Sequence, residues 1–214
     1  MKPFILAALA ALLIPTAMIN GQDIQLPKPD QNRQTLSTAQ ALATRHSVRE
    51  YSAKELSLQD LSDLCWAACG LSRDDEHITA ASAMNRQEVR LFVFLKQGTY
   101  EYVAKYNYLK AFAKGDSRRL VAGGPDFAQD FVMDAPVSLV MVVDFEKLGS
   151  QNERSVMMGC VDVGNVSENV NLFCQAAGFV TVPRATMDSE GIKKLLGLTD
   201  KQLPVLNNPV GFAE

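Results

Sequence analysis

The chain has 214 residues, of which 47% are hydrophobic and 21% are charged, and its formal net charge is -3. This length and composition are typical of one globular domain with a sizeable core. A slightly acidic balance gives no reason to expect nucleic acid or an anionic membrane surface as a partner.

The start of the chain has the layout of a secretory signal peptide. Lys2 precedes an apolar run from Phe4 to Ile14, and a stretch of mostly small or polar residues then ends at Gly21. The apolar run is shorter than the roughly 20 residues that a membrane-spanning helix needs. We therefore expect residues 1–21 to be a signal peptide. The mature protein is expected to be exported, either periplasmic or secreted, without a permanent membrane anchor.

The next segment, residues 22–34, contains Pro27, Pro29 and several amide and acidic side chains. So few apolar groups do not offset the conformational entropy that ordering would cost, which predicts a flexible tether. The folded domain is then expected over residues 35–214.

The first part of this domain predicts two helices. Residues 37–45 are expected to form a short one. Ser57 and Asp60 stand in capping-box spacing ahead of an apolar stripe, and Gly70 supplies the end of the second helix.

The middle of the chain predicts strands around a helical region. Residues 88–96 and 99–104 are β-rich on either side of a Gln97-Gly98 turn, which indicates a hairpin. Residues 106–134 are expected to be mostly helical. Residues 137–144 are apolar without alternation, which is typical of a fully buried central strand.

The last part predicts two helices and a closing strand. A long helix from about Met158 to Ala177 ends at Gly178, Asp188 or Ser189 can cap a final helix to Leu196, and residues 205–212 return as a strand. Together these elements indicate an α+β fold, with helices packed over a sheet.

The four cysteines lie on two of the predicted helices. We expect them to be small buried side chains, because free cysteine is among the most buried residue types. A disulfide between the helix with Cys65 and Cys69 and the helix with Cys160 and Cys174 is the alternative.

The sequence lacks the signatures of several enzyme classes. His46 and His77 do not stand in metal-ligand spacing with Cys, Asp or Glu, so no metal site is expected. The motifs G-x-S-x-G, G-x-x-x-x-G-K-[ST] and G-x-G-x-x-G are all missing, which disfavours nucleophile-elbow hydrolases, P-loop proteins and Rossmann dinucleotide binders. Arginines, hydroxyl residues and amides cluster instead beside extended segments. This pattern suits a phosphorylated planar cofactor.

One such cluster follows the first helix, in the segment Arg45-His46-Ser47-Val48-Arg49. In an extended stretch, Ser47 and Arg49 point to the same side. Guanidinium and hydroxyl donors that converge can bind a phosphate, and a further arginine can neutralise charge elsewhere on the same ligand. Arginines near a helix C-terminus equally serve the helix dipole and solvent, so this segment alone does not establish a site.

Two further segments could approach a flat ligand. The loop Ala81-Ser82-Ala83-Met84-Asn85-Arg86-Gln87 combines small side chains with amides that can pair with a heteroaromatic edge. After the long helix, the extended run through Pro183-Arg184-Ala185 could direct a backbone N–H at a redox-active ring nitrogen. Taken singly, each is equally an ordinary connection between elements.

In this order and spacing, the three segments resemble the FMN-dependent nitroreductase family, and the resemblance runs from about Ala39 to Phe212. The family's opening motif Arg-[Arg/His]-Ser-x-[Arg/Lys] with a following aromatic is matched by Arg45, His46, Ser47, Arg49 and Tyr51. Its Pro-Ser-x-x-Asn-x-Gln motif is matched by Ser82, Asn85 and Gln87, with Ala81 in place of proline. Its later motifs are matched by Asp162, Gly164, Asn169, Gly178, Val182, Pro183, Pro209, Val210 and Gly211.

The resemblance implies a nitroreductase-like α+β fold: a central, mostly antiparallel sheet flanked by helices, in an intertwined homodimer with FMN at the subunit interface. Arg45 and Ser47 would bind the FMN phosphate with His46 nearby, and Arg49 would lie beside the pyrimidine side of the flavin ring. The partner subunit would contribute Ser82, Ala83, Met84, Asn85 and Gln87. The reactive ring nitrogen would lie near Pro183, Arg184 and Ala185.

The same resemblance implies ping-pong hydride transfer through the flavin to or from a small organic substrate such as a nitro compound or a quinone. NAD(P)H is the implied electron donor, although an exported member would need another donor or another task, such as the oxidation performed by the family's azoline-oxidising branch. The alternative is an exported flavin- or ligand-binding protein of the same fold without turnover.

Two details of the site follow from comparison with longer members of the family. Those members add basic phosphate ligands after the terminal strand, and Arg184 is the candidate substitute here. Substrate contacts are expected roughly between Tyr100 and Gly124, where Tyr102, Tyr106, Tyr108 and Phe112 would face either the pocket or the core.

Overall fold

The computed structural model describes residues 21–214, so the predicted signal peptide lies, except for Gly21, outside the described residues. The strands are β1 (Ile24–Gln25), β2 (Val89–Leu95), β3 (Gly98–Val103), β4 (Tyr108–Lys114), β5 (Val137–Asp144), β6 (Val180–Thr181) and β7 (Gln202–Gly211). The α-helices are α1 (Thr38–Thr44), α2 (Leu58–Cys69), α3 (Arg118–Ala122), α4 (Phe145–Leu148), α5 (Glu153–Ala177) and α6 (Ser189–Leu196). Short 3-10 helices cover Ala83–Asn85, Ala104–Tyr106 and Asp130–Met133.

The strands form one seven-stranded sheet in the order β1-β4-β3-β2-β5-β7-β6, and every pairing is antiparallel. All eight residues of β5 are buried between β2 and β7, as the unbroken apolar run predicts. Alternate residues of the strands serve two cores. One core packs α2 and α5 on one face of the sheet, and the other packs α3 and α6 on the opposite face. The predicted α+β architecture is confirmed.

Side-chain caps fix where the helices begin. The Ser57 hydroxyl accepts a hydrogen bond from the Asp60 backbone N–H at 3.1 Å, and the Asp60 carboxylate accepts one from the Ser57 backbone N–H at 3.0 Å. These two bonds complete the predicted capping box of α2. The long helix α5 begins five residues earlier than predicted, at Glu153, because Asn152 Oδ1 accepts the Ser155 amide at 3.0 Å.

The region predicted to be mostly helical contains a strand instead. Residues 108–114 form β4, which pairs with β3 on one side and β1 on the other. Leu109 and Ala111 are buried on the sheet, so packing against neighbouring strands outweighs the local helical preference. Helical structure between 106 and 134 is confined to α3 and a short 3-10 helix.

The segment predicted to be a flexible tether is packed against the domain. Ile24 and Gln25 extend the sheet edge, and Leu26 is 3% exposed. Arg33 then forms ion pairs with Asp60 at 2.7 Å and Asp63 at 3.0 Å on α2. The polar composition that suggested a tether supplies these contacts, so residues 23–34 form a strap across α2.

The cysteines follow the expectation in three of four positions. All four are free thiols in the described structure; Cys65, Cys69 and Cys174 are buried, whereas Cys160 is exposed on α5. Within residues 21–214, no helix has the length and apolar character needed to cross a membrane.

Candidate functional site

The structure places the first and third predicted segments side by side. The Val48 amide donates to the Thr181 carbonyl at 3.1 Å, and the Ser52 amide donates to the Phe212 carbonyl at 2.9 Å. The Tyr51 hydroxyl donates to the Pro209 carbonyl at 3.3 Å. Residues 45–52 therefore run along the β6–β7 edge, immediately before the chain reaches Pro183.

A glycine permits this close packing. A Cβ atom added at Gly211 would lie 2.9 Å from Tyr51 Cδ1 and 2.9 Å from Pro136 Cδ. Such an approach is too close for carbon atoms, so the Tyr51 ring can seat on β7 only because residue 211 has no side chain. The terminal Pro-Val-Gly motif therefore helps to position the arginine segment.

The side chains of this arginine segment project into solvent. Arg45, His46, Ser47 and Arg49 are all exposed. The guanidinium of Arg45 lies 3.8 Å from Glu168, and His46 Nδ1 lies 2.9 Å from the Thr44 carbonyl. Among residues 21–214, Ser47 and Arg49 make no side-chain hydrogen bond or ion pair. The Ser47 hydroxyl and the Arg49 guanidinium are thus free to bind an anionic ligand, and the Arg45 guanidinium is paired only with a solvent-exposed carboxylate.

The buried amide of Asn207 holds the segment after Pro183. The Arg184 amide donates to the Asn207 carbonyl at 2.8 Å, and the Asn207 amide donates back to the Arg184 carbonyl at 2.7 Å. Asn207 Nδ2 also donates to the Thr186 carbonyl at 3.0 Å. Pro183 has no N–H, and the N–H of Arg184 already donates to Asn207. In the described structure, Ala185 is therefore the residue of the three whose backbone N–H is free to bind a ligand.

Arg184 has a different role from the suggested phosphate ligand. Its guanidinium is 6% exposed and donates to Gln129 Oε1 at 2.8 Å, to Asn207 Oδ1 at 2.6 Å and to the carbonyls of Val121 and Ala122 at 3.1 Å. Burial lowers the pKa of Arg184, with the positive charge of Arg49 acting in the same direction. A buried, hydrogen-bonded guanidinium cannot reach a phosphate at the surface, so its contribution is structural.

The loop over residues 82–87 has an unusual backbone. Met84, Asn85 and Gln87 adopt left-handed conformations, with φ of 52°, 53° and 49°. Non-glycine residues rarely adopt this conformation, and such positions concentrate at ligand-binding segments. Ala83 and Asp162 anchor the loop on α5, since the Ala83 amide donates to Asp162 Oδ2 at 2.6 Å.

Within one chain, this loop does not join the arginine segment. No hydrogen bond or ion pair of the described residues links the two. The loop contacts α5 at Asp162, whereas Arg45 contacts the same helix at Glu168, about 9 Å further along its axis. The loop and the arginine segment are thus attached to different turns of α5.

An open cleft of ≈ 750 Å³ adjoins the loop. Its wall comes largely from residues between α2 and the loop, and it includes Trp66, Arg73, His77, Ala81, Ser82 and Asn85. The sequence interpretation did not single out Trp66, Arg73 or His77. No motif marks them, and only the path of the chain after α2 brings them together.

The aromatic residues expected at a substrate pocket lie towards the opposite edge of the sheet from residues 45–49. Tyr102 is buried and its hydroxyl donates to Asn107 Oδ1 at 3.0 Å, while the Phe112 ring packs edge-on against Phe92. Tyr106 is 65% exposed. Five strand spacings separate β4 from β6, about 24 Å in total, so these residues do not face residues 45–49 of the same chain.

The sequence interpretation also missed several buried polar residues that support the site. Ser167 donates to Asn208 Oδ1 at 2.8 Å, and Asn208 donates to Asn171 Oδ1 at 2.9 Å. Two adjacent asparagines inside a strand of otherwise apolar residues were the available signal, because buried amides in strands need specific partners. Among residues 21–214, no group of three or more His, Cys, Asp and Glu side chains could hold a metal ion.

The class of protein is defined by two features together: an antiparallel sheet with helices on both faces, and a solvent-facing segment of arginine and serine. The chain belongs to the nitroreductase family, whose model matches residues 42–212. A nitroreductase-like protein of Methanocaldococcus jannaschii is 26% identical over 200 residues, which are 88% of this chain and 96% of that protein.

Solved structures agree with this assignment. The crystal structure of a nitroreductase-like protein from Ralstonia eutropha JMP134 superposes with a TM-score of 0.81 at 28% identity, covering 91% of this chain and 90% of the other. One from Anabaena variabilis ATCC 29413 has a TM-score of 0.71 at 17% identity, covering 90% of this chain and 42% of the other. At the level of the family, these findings support a flavin-type oxidoreductase.

Proposed function

We propose that this protein is an FMN-dependent oxidoreductase. It transfers hydride in a ping-pong sequence between an electron donor and a small organic substrate such as a nitro compound or a quinone. The observation that carries the proposal is the exposed segment with Arg45, Ser47 and Arg49, held by backbone hydrogen bonds beside residues 183–185 in a chain of this family.

The donors of this segment fit a flavin mononucleotide. Arg45 and Ser47 present a guanidinium and a hydroxyl that can bind the phosphate, with the His46 ring beside them. Arg49 lies close enough to the buried Arg184 for its charge to influence that residue, which places it towards residues 183–185. It would therefore sit by the ring rather than by the phosphate.

The protein supplies orientation and charge in this proposal. When bound, FMN provides the hydride-accepting and hydride-donating ring. Arg49 would supply a fixed positive charge that could stabilise negative charge on the pyrimidine side of a bound flavin. The Ala185 amide is the donor available to the ring edge, and Asn207 fixes its position by holding the residues on either side. No side chain of the protein needs to act as a nucleophile.

The proposal requires a homodimer. Met157 and Val161 are 61% and 58% exposed on one face of α5, and Met84 and Leu42, on elements packed beside this helix, are 69% and 59% exposed. A Cβ atom at Gly164 on the same face would meet open space. An apolar surface of this kind favours a second copy of the chain, which would bring its 82–87 loop to the arginine segment.

The location of the protein determines which electron donors are available to it. We propose that the protein works outside the cytoplasm, since the first residues have the signal-peptide layout. NAD(P)H is then one candidate donor among several, and a periplasmic or secreted reductant is another.

The visible absorption spectrum of residues 22–214, after addition of FMN and removal of the excess, tests the cofactor. We expect about one flavin per subunit. The double variant Arg45→Ala/Arg49→Ala should lose the flavin while remaining a folded dimer, because charge-assisted hydrogen bonds contribute about 1.5–3 kcal/mol each. Arg119→Ala, which removes an exposed arginine on α3, is the matched control and should bind normally. A double variant with full flavin content contradicts the site.

Stopped-flow reduction tests turnover. An electron donor should reduce the bound flavin and so bleach its visible absorption. A quinone or nitroaromatic compound should then reoxidise the flavin and restore the spectrum. Tightly bound flavin that no donor reduces would instead support the ligand-binding alternative, and protein that binds no flavin would contradict both.

A further inference from the structure

A buried carboxyl group lies at the end of the 82–87 loop, outside the set of residues assigned to the flavin. Glu88 is 0% exposed, and no N–H or O–H group of the described residues donates to either of its side-chain oxygens. An ionised carboxylate in such a place is strongly disfavoured. The Glu88 carboxyl group must therefore either carry a proton or receive a hydrogen bond from a neighbouring group.

The neighbour of Glu88 is a second carboxyl group. Asp162 on α5 is 5% exposed, lies within hydrogen-bonding reach of Glu88, and accepts the Ala83 amide through Oδ2 at 2.6 Å. Burial, and then the hydrogen bond to Asp162, raises the pKa of Glu88 from 4.5 to about 7. A carboxyl group that is buried beside a second one favours its protonated form.

The other charged groups around Glu88 do not replace that proton. Lys147 on α4 lowers the pKa of Glu88, but its ammonium group donates to the Gln87 carbonyl at 2.8 Å. On β5, the Asp144 amide donates to the Glu88 carbonyl at 3.0 Å, whereas the Asp144 carboxylate accepts from Gln202 at 2.9 Å and from the Glu146 amide at 3.1 Å. The loop is thus fastened to α4 and β5 through backbone carbonyls and to α5 through Asp162.

We propose that Glu88 is protonated, that it donates to Asp162, and that this carboxyl pair is a positioning element for the 82–87 loop. Protonated Glu88 donates to Asp162, while Asp162 Oδ2 accepts the Ala83 amide, so α5 holds both ends of the loop. When the proton passes to solvent, two negative charges face each other and the loop loosens. The inference rests on the proposed function only where it assigns this loop to the flavin.

Hydrogen exchange of the flavin-free protein tests the pair without reference to the cofactor. The exchange of a peptide spanning residues 82–88 is compared at pH 6 and pH 8 after correction for the intrinsic pH dependence. For a pKa of about 7, the protonated fraction falls from about nine-tenths to about one-tenth over this range. We expect the protection of the loop amides to fall by up to about tenfold. Protection that does not change with pH overturns the proposal.

Two variants separate the pair from general effects of pH. Glu88→Gln can still donate to Asp162 but cannot ionise, so its loop should stay protected at both pH values. Glu153→Gln removes an exposed carboxylate from the same helix and should retain the wild-type pH dependence. A Glu88→Gln protein that keeps the wild-type dependence contradicts the assignment. If this variant does not fold, Asp162→Asn, which keeps an acceptor for the Ala83 amide but removes the second negative charge, should weaken the pH dependence instead.

The flavin supplies a second readout. The FMN dissociation constant should rise between pH 6 and pH 8 in the wild type and stay constant in Glu88→Gln. A protein that binds no FMN would sink the proposed function, but the exchange experiment would still stand. A pH-dependent loop with pH-independent FMN binding would overturn the role of the pair in positioning the flavin loop.

Discussion

At Asn207 a single buried side chain connects two parts of the candidate site. Its oxygen accepts from the Arg184 guanidinium at 2.6 Å, and its nitrogen donates to the Thr186 carbonyl at 3.0 Å. The residue is 0% exposed, so these bonds are made where water cannot replace them. Asn207 therefore fixes the backbone that precedes and follows Ala185 and also satisfies a buried charge.

Replacing Asn207 by alanine should lower the free energy of unfolding by about 2–3 kcal/mol, since it leaves a buried charged donor and a carbonyl unpaired. Gln129→Ala is the matched control, because Gln129 accepts from the same guanidinium at 2.8 Å but is only half-buried. Its effect should be smaller. Urea unfolding measures both values, and equal losses in the two variants would contradict the importance given to Asn207.

At the scale of elements, the strap of residues 23–34 has its strongest anchor on α2. Asp63 is 2% exposed and accepts three bonds: from the Asp30 amide at 2.8 Å, from Arg33 at 3.0 Å and from Gln59 at 2.8 Å. Without this carboxylate, the strap would lose its bond through the Asp30 amide and one of the two ion pairs of Arg33.

Asp63→Asn should free the strap, because an amide group cannot accept all three bonds. We expect the free energy of unfolding to fall by about 1–3 kcal/mol and residues 28–34 to become sensitive to limited proteolysis. Asp74→Asn, at an exposed position just after α2, should change neither property. A protease-resistant strap in Asp63→Asn would show that β1 and the remaining contacts, such as the ion pair between Arg33 and Asp60, are enough to hold it.

These elements show how far the sequence could predict the structure. The sequence predicts an element well when short-range features define it. The capping residues of α2 and the apolar run of β5 give the bounds of those elements almost to the residue. The strap and β4 were missed because their order comes from partners distant in sequence. The motifs mark residues 45–49 and 183–185 as site candidates, and the structure brings these two segments side by side. The buried role of Arg184 depends on four distant acceptors that no motif records.

For the whole molecule, the exposed apolar face of α5 is the feature that a single subunit does not explain. Val161→Glu would place a charge in the centre of this face. We expect it to shift the protein from dimer to monomer and to abolish FMN binding, since each site would need the 82–87 loop of a partner. Sedimentation velocity measures the first effect and the flavin spectrum the second. Leu58→Glu, on the similarly exposed N-terminus of α2, should leave both unchanged. A monomer that still binds FMN would refute the interface.

The pH dependence of global stability follows from the same buried carboxyl pair. The pKa of Glu88 is raised to about 7 in the folded chain, whereas in the unfolded chain it returns to its ordinary value of 4.5. Between these values the folded state binds more protons, so stability falls as the pH rises. The contribution of the protonated carboxyl is complete below about pH 4.5 and is lost above about pH 7.

Other carboxylates act in a different range. The hydrogen bonds of Asp116 to Arg118 lower the pKa of Asp116, and Asp60 has a lowered pKa from its bonds with Ser57 and Arg33, so their contributions are lost only in acid, below their ordinary value of 3.8. Because Glu88→Gln does not titrate, the difference in unfolding free energy between wild type and this variant isolates Glu88. As the pH rises from 5 to 8, the unfolding free energy of the wild type should fall relative to that of Glu88→Gln. A constant difference across this range would mean that Glu88 is ionised throughout and that its negative charge is matched by a partner other than Asp162.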